Sequence, residues 1–311
     1  MNSFAHIINP VTGEENPELF ATQQTTFKSI LKSRSYSKDL DIKLYCCSFF
    51  GSDITQIPND FSSLPKLSRN ISSLAKTKKT NPILSDILQE ASKNCDSDYF
   101  IFTNLDIGLM PYFYEGVNYY VSLGHDAIIV NRRRIKSRFN TGNNLEAIYS
   151  EVGKTHTGYD CFIIKKSVLQ KFIFKNIAIG VPPAGNDVFY NIFAFADKPV
   201  LFTEKHLTFH IGMELEKEWG DKEILKHNYK EFHELLKELK PYLKADNFPG
   251  ADLGFCKRHF KWLMNPTFHY PTMFSLDAKR GFRKTKKEVK LIDKKNSYFE
   301  YMIQKINFED E

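Results

Sequence analysis

The sequence of 311 residues lacks the features that mark several classes of protein. It has no CxxC pair, and its five cysteines are irregularly spaced, which predicts reduced thiols rather than a disulfide framework or a structural zinc site. No apolar run approaches the roughly 18–20 residues that span a bilayer. The N-terminus has no basic segment followed by a long apolar one, as a secretory signal would. We therefore expect a cytoplasmic protein.

Several catalytic and binding motifs are also missing. The sequence contains no Walker A loop, GxGxxG, GxSxG or HExxH. It has no recognition-helix pattern, zinc-knuckle spacing or ribonucleoprotein motif, so we expect no nucleic-acid partner. The formal charge of +6 and the pI of about 8.8 are a mild bias that is compatible with a phosphate-bearing ligand.

The pattern of apolar residues predicts an α/β fold. Hydrophobic residues make up 42% of the chain, enough for a sizeable core. Predicted strands at 4–8, 41–49, 99–103, 126–131, 161–164 and 200–203 alternate with predicted helices at 17–34, 80–93, 111–123 and 187–196. Such alternation is typical of a mostly parallel, Rossmann-type sheet flanked by helices. Residues 132–157 read as a long surface loop, and 221–244 as a helix.

The strongest local signal for chemistry is the run from Tyr99 to Asp106. A continuously apolar strand ends in Asn104 and Asp106, and open α/β sheets bind ligands at the carboxyl ends of their strands. Carboxylate oxygens suit Mg²⁺ or Mn²⁺, so Asp106 is a candidate ligand for a cation that bridges two phosphates. Asn104 could contact a ribose or a metal-bound water. The alternative is that Asp106 only caps the next helix.

Three later residues could complete such a site. His210 closes a short β segment before Gly212, and neutral imidazole is an acceptable ligand for Mn²⁺, although a structural histidine is the alternative. Asp187 starts a predicted helix, where it could act as a general base or simply cap the helix. Arg133, within Arg132–Arg134, could grip a phosphate, the alternative being a solvated basic turn.

The order and spacing of these segments resemble those of the GT-A glycosyltransferases over roughly residues 4–215. His6–Pro10 resembles their nucleotide-binding first strand, and Asp98–Asp106 resembles their Asp-X-Asp strand, with Asn104 in place of the first Asp. Asp187 falls where inverting members carry the catalytic base. His210 falls where many members carry a late metal-binding histidine.

The resemblance implies a GT-A-like catalytic domain over 1–215, followed by a helical extension over 216–311. It implies transfer of a sugar from a UDP- or GDP-sugar to a glycan or glycolipid acceptor. The uracil or guanine of the donor would lie near Asn9 and Pro10, and Mn²⁺ or Mg²⁺ would bind Asp106 and His210. Asp187 would be the general base of an inverting reaction. The alternatives are a retaining transferase, a nucleotidyltransferase and a non-catalytic nucleotide-sugar-binding protein.

The segment from Lys279 to Lys295 is basic. Its cations are Lys279, Arg280, Arg283, Lys284, Lys286, Lys287, Lys290, Lys294 and Lys295. Such a tail could give the protein a peripheral contact with anionic lipid headgroups, or could bind an anionic glycan. The alternative is a solvated tail.

Overall fold

The computed structural model describes residues 2–12, 17–49, 57–137, 144–212 and 221–285, except for the side chains of residues 17, 18 and 157. The strands are β1 (Ser3–Ile8), β2 (Asp41–Cys46), β3 (Phe61–Ser63), β4 (Tyr99–Thr103), β5 (Ile107–Leu109), β6 (Ala127–Ile135), β7 (Lys154–Lys165), β8 (Pro199–Phe202) and β9 (Thr208–Ile211). The helices are α1 (Pro17–Tyr36), α2 (Leu84–Asn94), α3 (Phe113–Ser122), α4 (Leu145–Tyr149), α5 (Lys166–Leu169), α6 (Asn186–Phe195), α7 (Lys222–Leu239), α8 (Phe255–Met264) and α9 (Tyr270–Lys279).

The strands form one mixed sheet of nine strands in the order β3-β2-β1-β4-β7-β6-β9-β5, with β8 also paired to β6. Strands β3, β2, β1 and β4 are parallel, and β6, β8 and β9 run in the same direction. Only β7 and β5, among the described strands, run against them. The predicted α/β class with a mostly parallel sheet is therefore confirmed.

Helices cover both faces of this sheet, as the alternation of side chains along its strands requires. In β4, Phe100 and Phe102 belong to a core shared with α2 and α6. Tyr99 and Ile101 point the other way, into a core shared with α1 and α3. Because β4 is buried on both faces, its sequence is continuously apolar rather than alternating.

The register of the parallel strands defines the edge where the site lies. Ile7 of β1 pairs with Phe102 of β4, and Ile8 pairs with Cys46 of β2. If the pairing of β1 with β4 is extended beyond the strand ends, Asn9 lies opposite Asn104. The polar residues that follow β1 and β4 therefore emerge side by side at the carboxyl edge of the sheet.

The described part of the predicted C-terminal extension packs directly on the sheet domain. Helices α7, α8 and α9 contribute Phe232, Trp262 and Met273 to the same hydrophobic core as Phe100 and α6. The Trp262 indole N–H donates to the carbonyl of Pro249 at 2.9 Å, which fixes α8 to the preceding loop. The division of the chain at 215/216 stays a prediction.

Two local predictions are wrong. Residues 132–157 are not one long loop, because β6 continues to Ile135, β7 begins at Lys154, and α4 lies between them; 138–143 lie outside the described residues. The charged strand end is stabilised by pairing with β7 and β9. Helix α2 begins at Leu84 rather than near residue 80, since Pro82 forms a β-bridge with Asn70.

In the part of the chain that is described, every helix is too short or too polar to cross a membrane.

Candidate functional site

Asp106 and His210 meet at the carboxyl edge of the sheet. Asp106 immediately precedes β5, and the neighbouring Ile107 pairs with His210 of the antiparallel β9. The His210 Nε2 lies 3.0 Å from the Asp106 Oδ2, and about a fifth of each side chain is exposed (19% and 23%). Burial by itself raises the pKa of Asp106, but the hydrogen bond and charge of His210 and the charge of Arg132 outweigh it, so the pKa is lowered. The structure thus brings together two residues that are far apart in the sequence.

A second carboxylate, Asp160 of β7, lies opposite Asn104. The Asn104 side-chain amide donates to the Asp160 Oδ1 at 3.0 Å, and the Asn104 backbone N–H donates to the Asp160 carbonyl at 3.2 Å. The Arg132 Nη1 lies 3.1 Å from the Asp160 Oδ2. Burial and the nearby charge of Asp106 raise the pKa of Asp160, although Arg132, His210 and Asn104 oppose them.

This arrangement gives a physical reason for Asn104, where the resemblance led us to expect an aspartate. The Asn104 amide donates a hydrogen bond to Asp160 at 3.0 Å, whereas an aspartate there would place two carboxylates in contact. Like charges at that distance disfavour ionisation of both groups. The pair Asn104–Asp160 therefore supplies one negative charge where two aspartates would compete for a proton.

Two polar atoms of this group, Nε of Arg132 and Nδ1 of His210, are buried without a hydrogen-bond partner. The Asp160 Oδ2 is engaged in the ion pair with Arg132. Buried polar groups in folded proteins are almost always hydrogen-bonded, so a cluster of exceptions calls for a specific explanation. Two orphaned nitrogens beside two carboxylates favour a ligand-binding site over a purely structural network.

His156, at the start of β7, adds a neutral ring to the same region. The backbone N–H of Gly158 donates to the His156 Nδ1 at 2.8 Å, so this nitrogen carries no proton. Burial, followed by the charges of Arg132, Arg134 and His210, lowers the pKa of His156 to about 4. His156 is therefore uncharged at neutral pH and can donate a hydrogen bond through Nε2.

The pair Asp106–His210 fits a divalent cation by its donor atoms. Carboxylate oxygen and imidazole nitrogen are both accepted by Mn²⁺, and their 3.0 Å separation is close to the roughly 3 Å between adjacent ligands of an octahedral ion. Within the described ranges, no third His, Cys, Asp or Glu joins them to form a complete metal cage. Such a pair suits a cation that takes its other ligands from phosphate oxygens and water.

Arg133 does not join this group. Its Nε donates to the carbonyl of Val152, and its Nη2 donates to the carbonyl of Gly153 at 3.1 Å. Successive side chains of a strand point to opposite faces, so Arg132 faces Asp160 while Arg133 faces the turn before β7. The structure brings Arg132 to the site, whereas the sequence analysis selected its neighbour Arg133. The two could not be distinguished without the register of β6.

Asp187 lies in the first turn of α6. Its Oδ1 accepts the backbone N–H of Gly185 at 3.1 Å, and only 7% of the residue is exposed. Burial raises the pKa of Asp187 to about 6, while the backbone N–H groups of Val188, Gly185 and Asp187 itself moderate the rise. A carboxyl group with a pKa near the working pH suits proton transfer.

Gly185 holds this turn of α6 against β7. Its φ of +87° belongs to the left-handed region, and a Cβ there would lie 3.3 Å from the Tyr159 carbonyl oxygen. The Tyr159 ring stacks on Phe189 of α6, with centroids 5.7 Å apart. Since Asp160 follows Tyr159, the turn that carries Asp187 packs beside the strand that carries the second carboxylate.

Asn9 and Pro10 are both buried at the end of β1. The Asn9 side-chain amide donates to the carbonyl of Cys47 at 2.5 Å, which links the ends of β1 and β2. This contact gives Asn9 a structural role at the sheet edge. Contact of Asn9 or Pro10 with a nucleotide base stays a prediction.

Comparison of the sequence with protein-family profiles and with curated proteins gives no match. Solved structures that are similar to this chain include S. aureus TarS 1–349 in complex with UDP-GlcNAc, which is 13% identical, with a TM-score of 0.47 and coverage of 89% of this chain and 80% of that one. Another is M. tuberculosis glucosyl-3-phosphoglycerate synthase in complex with Mn²⁺, UDP-glucose and phosphoglyceric acid. It is 12% identical, with a TM-score of 0.41 and coverage of 76% of this chain and 80% of that one.

Proposed function

We propose that the chain is a glycosyltransferase of GT-A type that transfers a sugar from a UDP- or GDP-sugar to a hydroxyl of a glycan or glycolipid, in the cytoplasm. The observation that carries the proposal is the meeting of Asp106 and His210, 3.0 Å apart, at the carboxyl edge of a mostly parallel sheet. This edge is where open α/β sheets bind their ligands.

The groups at this edge match the charges of a nucleoside diphosphate. Asp106 and His210 would hold Mn²⁺ or Mg²⁺, and the bound cation supplies positive charge that stabilises the departing diphosphate. Arg132 offers a second positive charge, with its Nε buried and without a hydrogen-bond partner. Asp160 orients Arg132 through their contact at 3.1 Å, so that the guanidinium is held in place before a phosphate arrives.

Asp187 is the group best suited to remove the proton from the acceptor hydroxyl. Its carboxyl group is buried, its pKa is raised to about 6, and it is held in the first turn of α6. At neutral pH the carboxyl group of Asp187 is ionised in most molecules and can accept a proton. Direct removal of this proton by Asp187 would give a single displacement with inversion at the anomeric carbon.

The proposal predicts metal-dependent donor binding that requires Asp106. A screen should include UDP-GlcNAc and UDP-glucose, which are bound in structures of the two similar proteins, together with GDP-sugars. Calorimetry of the intact chain with and without Mn²⁺ measures donor affinity. Release of nucleotide over time measures activity. Asp106→Ala should lower nucleotide release by at least a hundredfold and remove the effect of Mn²⁺ on donor affinity.

The matched control is Asp60→Ala, because Asp60 is half-exposed and its ion pair among the described residues is with Arg34 on the surface. This variant should keep full activity and the Mn²⁺ effect. Binding of donor without any nucleotide release would identify a binding protein instead of an enzyme. If Asp106→Ala retains full activity, Asp106 holds no catalytic cation. NMR of the product anomer separates inversion from retention.

A further inference from the structure

Helix α8 carries an apolar stripe that faces solvent. Arg258, His259 and Trp262 are its buried residues, whereas Phe260, Leu263 and Met264 are 66%, 59% and 64% exposed. At 100° per residue these three side chains and Cys256 fall on one side of the helix, opposite its buried face. Large apolar side chains are seldom grouped on an exposed helix face without a partner.

Aromatic rings at the ends of α8 and α9 extend this apolar surface. The ring of Phe282 lies 5.4 Å from that of Phe255 and 5.6 Å from that of Phe274, centroid to centroid. All three side chains are between 40% and 48% exposed. Phe282 has a φ of 54°, a left-handed conformation that costs energy for an aromatic residue. Its N–H donates to Asp277 and its carbonyl accepts from Arg258, so buried groups hold this conformation.

The apolar surface is surrounded by positive charge. Residues 254–285 contain seven Lys and Arg but a single acidic residue, Asp277, which is buried. Lys257 lies on α8 beside the stripe, Lys279 ends α9, and Arg283 and Lys284 follow it; all four are exposed. An apolar surface with a cationic border is the pattern by which helices lie in the interface of an anionic bilayer.

We propose, independently of the reaction at the sheet edge, that the exposed face of α8 and the end of α9 dock on an anionic lipid bilayer. The apolar side chains would enter the interface while the lysines contact the lipid phosphates. Charge favours this occupant over the chain's own C-terminal segment, since residues 286–311 hold six basic and six acidic residues. A second copy of this chain would bring positive charge against positive charge.

Cys256 offers a direct probe of the surface. It is exposed, whereas Cys46, Cys47, Cys95 and Cys161 are buried, so a thiol-reactive, environment-sensitive dye labels this position selectively. Emission of the labelled full-length chain should shift to the blue with vesicles of phosphatidylcholine and phosphatidylglycerol in a 3:1 ratio. It should not shift with phosphatidylcholine alone.

Co-sedimentation of the unlabelled chain with the same vesicles gives the partition constant. Phe260→Ser combined with Leu263→Ser should lower it at least tenfold, and Lys257→Gln combined with Lys284→Gln by roughly 10- to 30-fold. The matched controls are Tyr36→Ser with Leu123→Ser, exposed positions at the C-terminal ends of α1 and α3 on the other face of the sheet, and Lys76→Gln with Lys78→Gln. Both controls should bind as the original chain does.

Three outcomes would overturn the proposal. The first is equal binding to vesicles with and without phosphatidylglycerol, or none to either. The second is loss of binding in the full-length variant Lys286→Gln/Lys287→Gln/Lys290→Gln but not in the α8 variants, which would assign the contact to the C-terminal segment. The third is a concentration-dependent dimer that Phe260→Ser dissociates, which would make the face an interface between copies.

Discussion

Two clusters in this molecule combine carboxylates with arginine and histidine, and they differ in how fully their atoms are paired. In the C-terminal helices, Asp277 accepts hydrogen bonds from Arg258 and His259 through Oδ2 and from Arg280 through Oδ1. The side chains of Arg258 and Asp277 are completely buried. At the sheet edge, Asp160 and Arg132 are 18% and 21% exposed, and the buried Nε of Arg132 has no hydrogen-bond partner.

The difference separates a structural network from the site that we propose for the donor. Burial raises the pKa of Asp277, but the hydrogen bonds from Arg258, Arg280 and His259 outweigh it and lower the pKa. Every charge there has a fixed partner, and the network ties α8, α9 and the chain end at Phe282 together. A satisfied network has no capacity left for a ligand. The cluster at the sheet edge does, because the Nε of Arg132 and the Nδ1 of His210 have no hydrogen-bond partner.

The largest expected contrast comes from deleting one carboxylate in each cluster. Asp277→Ala leaves the fully buried Arg258 without its counter-charge, so it should lower the free energy of unfolding by about 3–5 kcal/mol. Asp160→Ala should lower it by only about 1 kcal/mol, since Arg132 can reach water. Urea unfolding of both variants at pH 7, followed by circular dichroism, gives the two values.

The control for the buried network is Asp246→Ala. Asp246 also pairs with Arg280, but more than half of its side chain is exposed (55%), and such pairs contribute little. This variant should unfold within about 1 kcal/mol of the original chain. Equal losses for Asp277→Ala and Asp160→Ala would remove the distinction between the two clusters.

Asp187 sharpens the comparison, because it is buried like Asp277 but has only backbone N–H groups to stabilise its charge. Its pKa is raised from 3.8 to about 6. The folded state therefore binds the proton more tightly, a stabilising effect that is present at low pH and is lost as pH rises through about 6. Asp187→Asn, which cannot ionise, should be more stable than the original chain at pH 7.5 by about 2–3 kcal/mol. At pH 4 the difference should be small.

Urea unfolding at the two pH values measures this effect, and Glu146→Gln is the control because Glu146 is an exposed residue in the first turn of α4. That substitution should change stability by less than about 0.5 kcal/mol at either pH. A difference for Asp187→Asn that does not grow with pH would show that the carboxyl group carries no penalty for ionising. The same variant should lose activity, so stability and catalysis would change in opposite directions.

Much of the fold could be predicted from the sequence, because apolar periodicity fixes which segments form strands and helices. The buried strand before Asn104 and the helix that begins near Asp187 are examples. The meeting of Asp106 with His210 was an expectation that rested on strand ends and on a family resemblance. Which of three consecutive arginines reaches the site depends on the register and bulges of β6 against β7, which no local pattern encodes.

The C-terminal region was harder to interpret for a different reason. Arg258 lies in α8 and Asp277 in α9, and the two helices are joined by a turn. Since charged residues are usually exposed, the sequence around each of them predicts a surface position. Only the packing of α8 on α9 shows that they neutralise each other. Of the aromatic residues around them, Trp262 and Phe268 pack into the core of the sheet domain, whereas Phe255, Phe260 and Phe274 are exposed.

The smallest expected effect distinguishes the two neighbouring arginines. Arg132→Ala removes a cation that lies beside Asp160 at the sheet edge, so it should weaken binding of UDP or a UDP-sugar about tenfold, the effect of roughly 1.4 kcal/mol. Arg133→Ala removes hydrogen bonds to the carbonyls of Val152 and Gly153. It should leave donor affinity within about twofold and lower stability by about 1 kcal/mol. Calorimetry and urea unfolding of both variants decide the matter, because weaker donor binding by Arg133→Ala but not by Arg132→Ala would move the phosphate site to the other face of β6.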